Sequence, residues 1–111
     1  MKVILVEPAK QPQTIDIEPT LEAKQKIVGG PIDVLEFTDD NDAIIVVNDE
    51  GRNIGMPFNR SINNHHIYGT LLICGYDEDG NMLELSPHLL QKYTELFSFP
   101  ENIIDIRKYM S

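Results

Sequence analysis

The segment Asn48-Asp49-Glu50-Gly51-Arg52-Asn53-Ile54-Gly55-Met56-Pro57-Phe58-Asn59-Arg60 gathers amides, carboxylates and two arginines around two glycines and a proline. It lies between two apolar runs, and loops held by a rigid sheet are where binding groups usually sit. Asn59 can both donate and accept hydrogen bonds, and the fork of Arg60 fits a carboxylate or a phosphate. The candidate ligand-binding residues are therefore Asn48, Glu50, Pro57, Asn59 and Arg60, with Tyr68 close downstream. The competing reading is that Asn59 and Arg60 satisfy the backbone of an irregular loop.

Other chemistries find less support. His65 and His66 are neighbours, and neighbours on a strand point to opposite faces, so they cannot chelate one ion together. A zinc site wants three or four ligands, and His88 is the third and last histidine. Cys74 lies ~26 Å from His66 if the chain between them is extended at ~3.3 Å per residue. Its neighbours Leu72 and Ile73 point to a buried structural thiol rather than a nucleophile. Asp77-Glu78-Asp79-Gly80-Asn81 places its glycine too early for a calcium loop and reads as a hairpin turn. Gly29-Gly30 follows a helix instead of preceding one, so the dipole there has the wrong sign for a phosphate. No catalytic residue, metal or cofactor is expected. A small hydrolase using Glu50 or a histidine lacks a nucleophile–base pair.

The elements that must position these residues follow from local pattern. Lys2 to Glu7 is a β-branched run and Gln13 to Glu18 alternates, so the two form an opening hairpin across Pro8–Pro12. Thr20 caps a helix over Leu21–Val28, and Gly29-Gly30-Pro31 stops it. Ile32 to Phe37 and Ala43 to Val47 read as strands flanking the loop 38–42. The stretch from Arg52 to Asn64 shows no period. Ile67 to Cys74 reads as one strand interrupted by Gly69. Ser86-Pro87 opens a second helix with Leu89, Leu90, Tyr93, Leu96 and Phe97 on one face. The pattern predicts an α+β domain over 1–111: a mostly antiparallel sheet of about five strands with two or three helices packed on one face. Residues 100–111 form a tail, helix or strand, docked on the body.

The chain has 111 residues, 41% of them hydrophobic, enough for one core. Its single cysteine cannot form an internal disulfide. Its first apolar run is too short for a signal or a membrane span, so a cytoplasmic location is expected. With 18 acids against 9 bases the formal charge is −9, which repels phosphate backbones and anionic lipid. Neither direct nucleic-acid binding nor membrane binding is expected. A basic partner is compatible, and so is self-association.

Three stretches resemble a known family, domain of unknown function 3846, from phages, prophages and other mobile elements. They are Leu21-Glu22-Ala23 through Val28-Gly29-Gly30 with Ile32; Val47-Asn48 through Glu50-Gly51 and Gly55-Met56-Pro57-Phe58-Asn59-Arg60; and Ile67-Tyr68-Gly69-Thr70 through Gly75. The likeness covers Met1 to Phe97. Met56 and Phe58 stand where other members tend to have leucine and proline. The resemblance implies a bacterial, mobile-element context and brings no activity with it. The expected function is a non-catalytic module that holds a small polar, nucleotide-like ligand or a host protein. The alternative is an acidic DNA mimic that neutralises a basic host protein.

Overall fold

The computed structural model describes residues 1–36, 42–62 and 65–98, and the backbone of Ile103–Ile104. In chain order the elements are β1 (Lys2–Val6), β2 (Gln13–Asp16), α1 (Leu21–Val28), β3 (Ile32–Leu35), β4 (Ala43–Asn48), β5 (Phe58–Ile62), β6 (His65–Tyr68), β7 (Leu71–Tyr76), β8 (Met82–Leu83), α2 (Pro87–Leu96) and β9 (Ile103–Ile104).

All six residues of β4 are buried. A strand with both faces apolar must be covered on both sides, and this one sits inside a sheet of order β2-β1-β7-β4-β3, with β8 added to β7. Every pairing in this sheet is antiparallel. One face carries Ile4, Val6, Ile45, Val47, Leu71 and Ile73, packed against Leu89, Tyr93, Leu96 and Phe97 from α2 and its end. The opposite face carries Val3, Ile44, Val46, Leu72 and Cys74, packed against Val28 and Ile27 of α1. The two helices thus lie on opposite faces, not on one. The physical reason is that β4 and β7 are apolar on both faces and each face needs a cover.

β5 and β6 pair antiparallel in a second sheet of order β6-β5-β9, where β9 runs parallel to β5 through Ser61↔Ile103 and Ile62↔Ile104. Ile62 and Ile67 of this sheet join the α2-side core. The described residues therefore form more strands than the expected five. Two misreadings account for half of the difference, and the short strands β8 and β9 for the rest. The unpatterned stretch contains β5, and the run Ile67–Cys74 is two strands belonging to different sheets. Gly69 makes the break: its φ of +87° is open to glycine and strained for other residues. Phe37 of the predicted strand, residues 38–41 of the predicted loop, Asn63 and Asn64, and the tail other than Ile103–Ile104 lie outside the described residues.

Both helix starts follow their caps. Thr20 Oγ1 accepts from the Ala23 amide at 3.2 Å, and Ser86 Oγ accepts from the Leu89 amide at 3.3 Å ahead of Pro87. The amides of Gly29 and Gly30 both return to the Gln25 carbonyl, which closes α1. No helix among the described residues is long and apolar enough to cross a membrane.

Burial pushes the Cys74 thiol up from 9.0 to about 11, with the Lys24 ammonium opposing in part. The folded thiol stays protonated where the unfolded one ionises, so stability is lost as pH rises from 9 toward 11. Denaturation curves of the native chain and Cys74→Ala across this range should converge by about 2–3 kcal/mol. Parallel curves would mean that the thiol titrates freely.

Candidate functional site

β5 carries Asn59, Arg60 and Ser61, an unusual set for a buried strand. The ladder with β6 pairs Phe58 with Tyr68 and then Arg60 with Ile67, so Asn59 sits in a bulge. A bulge breaks the alternation of faces, and both Asn59 and Arg60 turn inward, each 0% exposed. Asn59 Nδ2 donates to the Val6 carbonyl at the end of β1 and to the Gly69 carbonyl, both at 2.8 Å. Its Oδ1 accepts from Arg60 Nη1 at 2.8 Å. Arg60 Nη2 donates to the Lys10 carbonyl in the β1–β2 turn at 2.9 Å and to the Phe97 carbonyl at 3.0 Å. Phe97 is the C-cap of α2. A cation there satisfies an end carbonyl and meets the negative end of the helix dipole.

Asn48 is also committed. Its Nδ2 donates to the Val28 carbonyl at 3.1 Å, and its Oδ1 accepts from the Glu50 amide at 2.7 Å, fixing the turn after β4 to the end of α1. At Gly51 an added Cβ would lie 2.5 Å from the Tyr68 carbonyl oxygen, so only glycine lets this turn press against β6.

Where the turn meets β6 a hollow of about 380 Å³ opens. Asp33 and Leu35 of β3 contribute to it, as do Asn48, Asp49 and Arg52 of the turn and His65, His66 and Tyr68 of β6. Carboxylates and basic groups thus share one open space. Asp33 Oδ1 accepts from the Val34 amide at 2.9 Å. A hydrogen bond joins His66 Nδ1 to Ser61 Oγ on the paired strand. The Arg52 side chain is exposed and makes no hydrogen bond or ion pair among the described residues. No group of three or more His, Cys, Asp or Glu among the described residues could hold a metal.

Of the six predicted ligand-binding residues, Asn48 and Tyr68 line the hollow. Glu50 and Pro57 are exposed and lie outside its lining, Pro57 beside a shallower groove with Met56 and Ile27. Asn59 and Arg60 do not converge on an open space. They are sealed in the interior and bound to carbonyls, because the bulge turns them toward backbone groups that would otherwise be buried unpaired. The reading of the residues missed Asp33, Asp49, Arg52, His65 and His66. Asp49 and Arg52 lie inside the polar segment 48–60, and adjacent histidines carry no binding signal in sequence beyond a metal. Asp33 gave no local signal.

The fold and hollow define a two-sheet α+β domain with an open polar recess at the junction of β3, the turn after β4, and β6. The chain belongs to the family described as domain of unknown function DUF3846, whose model matches residues 1–98. No curated protein and no solved structure matches it.

Removing the interior guanidinium strands Asn59 Oδ1 and the carbonyls of Asn59, Lys10 and Phe97 and leaves a void. Arg60→Ala should cost about 3–5 kcal/mol in urea denaturation. Arg60→Lys should recover little, since an ammonium lacks the planar fork. Arg52→Ala should stay within about 0.5 kcal/mol. An Arg60→Ala loss below about 1 kcal/mol would contradict the structural role.

Proposed function

We propose that this chain is a non-catalytic binding module of phage or mobile-element origin. It holds a small polar ligand in the hollow between β3, the turn after β4, and β6. One observation carries the reading: polar groups there divide into two sets. Asn48, Asn59 and Arg60 are spent on the backbone, whereas Asp49, Arg52 and Tyr68 face open space with no side-chain hydrogen bond among the described residues. A recess of this size falls within the ~300–1,000 Å³ range of small-ligand sites. Carboxylates beside a guanidinium suit a ligand with donors at one end and an anion at the other.

The formal charge of −9 favours a second reading, an acidic interaction protein that neutralises a basic host protein. Capture of such a partner at low salt and its loss at high salt would separate this from a small-molecule site.

The test of the first reading is thermal unfolding against a panel of small polar compounds. A compound at 100 times its dissociation constant should add about 2.7 kcal/mol of stability. Arg52→Ala should abolish the shift. If every shift survives Arg52→Ala, the hollow is not the site.

A further inference from the structure

Three rings cluster beside the hollow, and two of them, His66 and Tyr68, line it. Phe58 faces Tyr68 with ring centroids 5.7 Å apart at 73°, and His66 with centroids 6.1 Å apart at 59°. Neither Phe58 nor Tyr68 belongs to an apolar core cluster, and Phe58 is 39% exposed. The fold therefore holds aromatic surface beside the recess that it does not use for its own packing. The tilted geometry leaves no parallel stack within the trio, which is the arrangement a planar guest requires from at least one ring. Tyr68 and His66 belong to both the ring cluster and the lining, so a guest seated in the hollow meets them.

We propose that the ligand is a guanine nucleoside monophosphate. The inference rests on the hollow being a ligand site. The base stacks on Tyr68, which Phe58 braces. Carboxylates Asp33 and Asp49 accept from the amino and imino N–H groups of the base edge, the chemistry by which acidic side chains read amino groups on bases. Arg52 takes the phosphate, with His65 beside it. The charge of −9 selects a mononucleotide over a strand, because repulsion grows with each further phosphate.

Isothermal titration of the full chain with guanosine 5′-monophosphate, guanosine and ribose 5-phosphate tests this. The nucleotide should bind more tightly than guanosine, and guanosine more tightly than ribose 5-phosphate. Tyr68→Ala should weaken the nucleotide about tenfold or more, whereas Tyr68→Phe should hold within about threefold. Arg52→Ala should bring the nucleotide to the affinity of guanosine. Ribose 5-phosphate binding as tightly as the nucleotide, with Tyr68→Ala without effect, would overturn the base assignment and leave the hollow as a site. A short oligonucleotide binding more tightly than the mononucleotide would overturn the choice of a single nucleotide. No binding of these three probes, together with panel shifts indifferent to Arg52, would remove both the inference and the site.

Discussion

The guanidinium of Arg60 sits where four parts of the chain meet. It bonds the turn between β1 and β2 through Lys10, the end of α2 through Phe97, and the bulge of β5 through Asn59, which in turn holds Val6 and Gly69. Each of these carbonyls lies in a turn, a bulge or the end of an element, where regular ladders run out and backbone acceptors need a partner. A planar donor fork can serve several at once, and its charge strengthens each bond. Burying a cation is unfavourable on its own, so the geometry must be well matched to be tolerated. That requirement ties the small sheet to the large one in a single orientation.

From that orientation the recess follows. With β5 pinned beneath, β6 lies above the turn that leaves β4, and Gly51 lets the turn press against the Tyr68 carbonyl. Asn48 anchors the same turn to α1. Apart from Asn48, what remains between β3 and β6 is lined by side chains that these ties do not consume. Positioning groups and available groups are thus adjacent in sequence and separate in role: Asn48 beside Asp49, and Tyr68 beside the turn at Gly69.

Much of the framework was legible locally. Thr20 and Ser86-Pro87 announce helix starts, Gly29-Gly30 announces a stop, and the apolar runs of β4 and β7 announce central strands. β5 was hidden because Asn59, Arg60 and Ser61 are polar and strand pattern is read from apolar alternation. Locally Gly69 reads as an interruption rather than a passage between sheets, since its neighbours on both sides are equally strand-like. The roles of Asn59 and Arg60 could not be read from residue type. A guanidinium fits a ligand phosphate and a cluster of carbonyls alike, and which one it meets depends on Lys10 and Phe97, distant in sequence. Asp33 reaches the recess only because β3 lies at the sheet edge, a long-range fact.

The most direct measurement is arginine side-chain hydrogen exchange by nuclear magnetic resonance, comparing Arg60 with Arg52. The account predicts that the Arg60 Nη protons are resolved and protected, held by interior carbonyls, and do not respond to added anions, while those of Arg52 exchange with bulk water. Arg60 protons that exchange as fast as those of Arg52, or that move when phosphate is added, would contradict it.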